Sequence, residues 1–157
     1  MKKLFLLFSV LCFTFIGTVS AFAGSNGYGV RAGYGSNPDQ FVVGGQALLG
    51  EFMKIARFAP SIDYGTGDNV STFAFNADIL MLLKPPNSSF AFYAAAGPTL
   101  TYWDAEHGGS DTEIGATITA GLRLPMKNTG FYNLEARFGI GDIPDLRILF
   151  GIMFGGK

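Results

Sequence analysis

Residues 112–126 read TEIGATITAGLRLPM, with Ile114, Ala116, Ile118, Ala120, Leu122 and Leu124 on alternate positions and Glu113, Gly115, Thr117, Thr119, Gly121 and Arg123 between them. Successive side chains of an extended strand point to opposite faces, so the segment predicts a strand with one apolar and one polar face. The pattern recurs along the chain. Turn-forming stretches SNPDQ, GEF, GTGDN, KPPNSS, DAEHGGSD, PMKNTG and GDIPD separate alternating segments at 28–35, 41–50, 53–64, 70–83, 90–103, 112–124, 131–140 and 145–154. Most of these reach the roughly 9 to 11 residues that a tilted strand needs to cross a bilayer.

Sorting side chains by parity gives the two faces different chemistry. Around 131–140, Tyr132, Leu134, Ala136, Phe138 and Ile140 oppose Asn133, Glu135, Arg137 and Gly139. Around 145–154, Leu146, Ile148, Phe150, Ile152 and Phe154 oppose Arg147, Gly151 and Met153. Arg31, Arg57, Arg123, Arg137 and Arg147 all fall opposite the large apolar residues, and so do Asp63, Asp78, Glu113 and Glu135. That polar face holds no lysine but several glycines and threonines. Small residues beside long arginines suit a narrow, filled interior, and nearly balanced charges let buried ions satisfy one another. The expected fold is therefore all-β: an eight-stranded antiparallel up-and-down transmembrane β-barrel with a polar, side-chain-filled lumen. A soluble lipocalin-like barrel that binds lipid inside an apolar lumen is the opposite assignment of the same two faces.

On this reading Arg57 and Asp78 are lumen neighbours on adjacent strands, Arg123 reaches Glu135, and Glu113 lies level with Arg137 and Arg147. Aromatic residues gather near both strand ends, as headgroup girdles do: Tyr34, Phe41, Tyr64, Tyr102 and Trp103 at one, Phe52, Phe90, Phe92, Tyr132 and Phe154 at the other. Pro60 and Pro98 cannot donate to a ladder, so each is expected where pairing is already interrupted.

The ends and the composition sharpen the picture. Met1-Lys2-Lys3, the apolar run 4–17 and Ala21-Phe22-Ala23 have the form of a cleaved secretory signal peptide at 1–23, leaving 24–157 as one barrel domain. The single cysteine, Cys12, lies inside that leader, so disulfides do not staple the domain. The chain is 48% hydrophobic, with 22 glycines and 16 phenylalanines. Its slight acidic excess offers no basic footprint for nucleic acid. Acids (Asp39, Asp68, Asp104, Glu106, Asp111, Asp142, Asp145) occupy the odd-numbered connections, whereas Lys54, Lys84, Lys127 and Lys157 lie by the even turns or the C-terminus.

Candidate chemistry is sparse. His107, the only histidine, stands with Asp104, Glu106, Ser110, Asp111 and Glu113. A Ser-His-acid enzyme acting on outer-leaflet lipid needs a nucleophile and base held rigidly together, which a Gly-Gly loop does not provide. Asp104, Glu106 and Asp111 could contact a divalent cation or lipopolysaccharide weakly, although the D-x-D-x-D-G spacing of a dedicated calcium loop is absent. GYGVRA at 27–32 matches G-x-G-x-x-A but opens no helix, and the sequons at Asn69 and Asn87 are patterns only.

The strands FAFYAAAGPTLTYW, RFAPSIDYG and the closing DLRILFGIMF make residues 27–154 resemble the outer-membrane β-barrel domain family, small eight-stranded surface proteins that include opacity-type adhesins. The resemblance implies a Gram-negative outer-membrane location. It also implies contact with outer-membrane lipid and lipopolysaccharide, and biogenesis through the barrel assembly machinery, which reads a C-terminal alternation like Leu146, Ile148, Phe150, Ile152 and Phe154. The pattern specifies no catalysis, cofactor or metal. A monomer with a structural or surface-contact role, in envelope integrity or adhesion and without an open pore, is the expected function.

Overall fold

Each alternating segment becomes one strand. A computed structural model describes residues 26–53, 55–67, 69–105, 109–127 and 130–155. The strands are β1 (Gly27–Ser36), β2 (Gln40–Met53), β3 (Ala56–Gly67), β4 (Val70–Leu83), β5 (Ala91–Ala105), β6 (Gly109–Pro125), β7 (Gly130–Ile140) and β8 (Leu146–Gly155). Every strand pairs antiparallel with the next, and β1 pairs with β8, closing the barrel. Closure leaves no sheet edge with unpaired backbone groups, which a sheet surrounded by hydrocarbon requires.

Two boundaries differ from the sequence pattern. The reversal expected at GEF lies later, because Gly50 takes a left-handed φ of 57° inside β2 and the register shifts between Leu49 and Met53 instead of turning. At the other end, β5 and β6 continue as a paired ribbon to Ala105↔Gly109, which carries Asp104 and Asp111 on exposed strand positions rather than in a loop. Elsewhere asparagine tolerates tight reversals, with φ of 52° at Asn37, 58° at Asn69 and 57° at Asn87.

The prolines occupy interruptions. The β2–β3 partners stop at Gln46↔Ser61 and resume at Leu49↔Phe58, leaving out Pro60. Those of β4–β5 stop at Asn76↔Thr99 and resume at Ile79↔Ala96, leaving out Pro98. Each proline thus borders a ladder interrupted on one side, while Pro60 keeps register with Ala77 and Pro98 with Ala116 on the other.

Large apolar side chains point outward all round the barrel: Val30, Phe41, Ile62, Met81, Leu100, Ile118, Leu134, Ile148 and Phe150 are all exposed. The inward set is buried and mostly polar, including Arg31, Arg57, Asp63, Asn76, Asp78, Arg123, Glu135, Arg137 and Arg147. The faces of a soluble lipid-binding barrel would be the reverse. The lumen is not polar throughout, however. At the end where the chain enters β1, Leu48, Ala59, Leu80, Tyr93, Ala95 and Met153 form an apolar cluster packed by Leu82 and Phe131.

Candidate functional site

Asp63 on β3 is the centre of the lumen. Arg31, facing it from β1, donates from Nε to Oδ1 at 2.9 Å and from Nη2 to Oδ2 at 2.8 Å, a two-pronged grip. The Asn76 amide donates to Asp63 at 3.1 Å, and Arg147 Nη1 approaches it at 3.5 Å. Gly44 makes room for this cluster, because a Cβ there would run into the Asp63 carboxylate. The remaining prongs of Arg31 reach Ser61 Oγ at 2.8 Å and Glu135 Oε2 at 3.1 Å.

A second centre forms on Asp78. Arg137 Nη2 donates to its Oδ2 at 2.8 Å and Thr117 Oγ1 to its Oδ1 at 3.1 Å. The Arg137 guanidinium also lies 4.0 Å from Glu135, which joins the two centres. Thr99 Oγ1 completes the link, donating to Asn76 Oδ1 at 2.9 Å and standing 3.3 Å from Thr117 Oγ1. Strands β1, β3, β4, β5, β6, β7 and β8 all contribute, so the network ties opposite walls of the barrel together. The ion pairs of Arg31, Arg137 and Arg147 with Asp63, Asp78 and Glu135 have side chains 1–4% exposed. Burial makes each such pair strongly dependent on its partner.

The pairings differ from the sequence expectation in three places. Arg57 is on the strand next to Asp78, but its register partner is Leu80 and its guanidinium bonds Glu51 instead. Asp78 is taken across the lumen by Arg137. Arg123 does not reach Glu135: its Nε donates to Asn133 Oδ1 at 3.3 Å, and its guanidinium lies 4.1 Å from the Phe131 ring centre and 5.2 Å from that of Tyr93. Glu113 is half-buried near the far end, and no ion pair joins it to Arg137 or Arg147. Ser61, Thr99 and Thr117 join the network too: Thr117 stands on the polar face that the alternation predicts, and the inward parity of Ser61 and Thr99 places them beside the charges as well. The same parity test would have found Leu48 and Leu80, which follow Gln46 and Asp78 on the inward face.

Outside, Tyr34, Tyr64 and Tyr102 are exposed near one rim and Phe92, Tyr132 and Phe154 near the other. Tyr64, Phe73 and Tyr102 are successive register partners across β3, β4 and β5. Tyr132 stacks on Phe150 at 5.9 Å between ring centres. Trp103 is the exception among the girdle residues: it shares the inward parity of Thr99 and Thr101 and is half-buried. Asp104 and Asp111 are exposed, and Asp145 accepts a bond from Asn37 Nδ2 at 2.6 Å. Lys54, Asp68, Glu106, His107, Lys157 and the Phe52 side chain lie outside the described parts of the chain, so the Ser-His-acid constellation is not among them.

The closed charged lumen and apolar exterior together define a class. Among solved structures, the N-terminal β-barrel domain of OprF from Pseudomonas aeruginosa is similar over 85% of this chain and 99% of its own, at 16% identity and a TM-score of 0.68. Neisserial surface protein A is similar over 82% of this chain and 94% of its own, at 14% identity and a TM-score of 0.64. The Yersinia pestis outer membrane protein Ail, in a phospholipid bilayer nanodisc, is similar over 85% of this chain and all of its own, at 12% identity and a TM-score of 0.51. No family model and no curated protein matches the chain. The fold is that of the small eight-stranded outer-membrane β-barrels.

Proposed function

We propose that the protein is an integral barrel of the Gram-negative outer membrane with a structural or surface-contact role, exported by the leader at 1–23 and inserted by the barrel assembly machinery. The observation that carries this reading is the belt of exposed Val, Ile, Leu and Phe side chains around a barrel whose charges face inward. In water that surface would be a severe aggregation hazard, whereas in hydrocarbon it is the stable arrangement. The likeness to barrels described as a surface protein and an outer membrane protein supports the location.

The lumen network argues against a diffusion pore, because an eight-stranded interior has room for little beyond its own side chains. The role is therefore mechanical and superficial. The barrel sits as a monomer in lipid and lipopolysaccharide and presents Asp104, Asp111 and their neighbours to the outside. Catalysis forms no part of the reading. Refolding into detergent tests it: the chain should give a β-type circular dichroism spectrum and migrate differently in SDS before and after boiling. A monodisperse monomer in detergent-free buffer would overturn it.

A further inference from the structure

The connection between β7 and β8, residues 141–145, folds into the barrel instead of standing above it. Ile143 is 4% exposed and Pro144 is buried, although both belong to a loop rather than a strand. Two glycines make the seat. A Cβ on Gly115 of β6 would lie 3.0 Å from both Cδ1 and Cγ2 of Ile143. One on Gly139 of β7 would lie 2.9 Å from Ile143 Cγ1 and collide with the Pro144 carbonyl oxygen. Only residues without a side chain leave that slot open to the loop.

Strand pairing explains the position. β6 pairs with β7 up to Ala116↔Ile140, whereas with β5 it runs on to Ala105↔Gly109. The wall of β7 and β8 is therefore shorter than that of β5 and β6, and the loop at its top turns in at the mouth opposite the entry end. One pleat deeper than Gly139 stand Arg137 and Arg147, register partners of like charge whose carboxylates are Asp78 and Asp63. A cover at this level keeps water from those pairs, and buried pairs are screened far less than wet ones.

The attachment is light. Gly139 N donates to Asp145 O at 2.8 Å at the root of the loop, and the Asp145 carboxylate accepts from Asn37 Nδ2, in the β1–β2 turn, at 2.6 Å. Gly141, with a φ of 100°, takes a backbone conformation that residues with side chains rarely adopt. One apolar side chain and two hydrogen bonds are far fewer restraints than a strand has, so this segment opens at a lower cost than the barrel unfolds.

We propose that residues 141–145 are a hinged lid on the mouth of the lumen, seated by Ile143 between Gly115 and Gly139 and latched to the β1–β2 turn by Asp145 and Asn37. Closed, the lid seals the lumen opposite the apolar cluster of the entry end. Open, it admits water and small solutes towards Arg137 and Arg147 while all eight strands stay paired.

The test is thiol labelling of the refolded full barrel in lipid nanodiscs, which leave both mouths in water. Single cysteines are placed by Asp142→Cys, at an exposed loop position, and by Ile143→Cys, in a chain that has no other beyond residue 23. A small maleimide should modify position 142 rapidly and position 143 slowly, at a rate that urea below the unfolding transition leaves unchanged. Adding Asp145→Ala removes one exposed hydrogen bond and should speed modification at 143 by about two- to tenfold, still independently of urea. Asp145→Asn keeps an acceptor oxygen and should restore the slow rate. Hydrogen exchange at the Gly139 amide, in the chain with Ile143 intact, should follow the same order across the Asp145 variants, which keeps the test decisive if Ile143→Cys itself loosens the seat. Equal labelling at 142 and 143 together with unprotected exchange at Gly139 would overturn the proposal. So would an Asp145→Ala effect absent from both readouts, or opening that rises with urea in step with global unfolding.

Discussion

Asp63 shows how much one residue can carry in a filled lumen. Two arginines and the Asn76 amide converge on it, so Asp63→Ala leaves Arg31 and Arg147 buried with one carboxylate fewer. The expected loss is about 3–5 kcal/mol, measured by urea unfolding in lipid vesicles. Which charges pair with which is a separate question. Asp78→Ala and Arg137→Ala should couple by about 0.5–3 kcal/mol in a double-mutant cycle, whereas Asp78→Ala and Arg57→Ala should come close to additive. The reverse result would restore the adjacent-strand pairing expected from sequence. Alternation along a strand tells which residues face inward, and eight of the nine charges it assigns to the lumen are buried there, whereas Glu113 is half-buried. Alternation says nothing about reach across the lumen, which depends on barrel shear and on where Arg57 finds Glu51 and Arg137 finds Asp78.

At the scale of strands, close backbone contacts decide which glycines are replaceable. A Cβ on Gly33 would collide with the backbone of Ile148 and Leu149 across the β1–β8 seam, whereas one on Gly45 would meet only the Gly29 carbonyl oxygen at 3.8 Å. Gly33→Val should therefore prevent closure and abolish the heat-modifiable band in SDS. Gly45→Ala should fold and gain roughly 0.5–1 kcal/mol, from the lower entropy cost of fixing alanine in a strand. All eight strands were legible because period-two alternation survives wherever one face is greasy and the other filled. Boundaries were less so. Gly50 signals a turn in sequence but serves a bulge in β2, and the β5–β6 ribbon runs past the apolar pattern because ladder bonds between Trp103, Asp104, Ser110 and Asp111 need no hydrophobic side chains. Trp103 departs from the girdle for a related reason: aromatic content near a strand end marks the level of a girdle, but parity decides the side.

The whole molecule behaves as a barrel turned outward, with its greasy surface on the exterior and a charged interior closed at the entry end by Leu48, Leu80, Tyr93 and Met153. That apolar plug was hidden among inward positions expected to be polar. Together with the ion-pair network it predicts no uniform channels of porin size in planar bilayer recordings. The central claim is the orientation of the two faces, and labelling measures it directly, because the chain beyond residue 23 contains no cysteine of its own. Single cysteines at Ile62, Ile118, Leu134 and Phe150, spread over β3, β6, β7 and β8, would each carry a small environment-sensitive fluorophore in lipid vesicles. The account predicts that lipids brominated on their acyl chains quench all four and that aqueous iodide quenches none. Iodide quenching at all four, without any effect of brominated lipid, would contradict it.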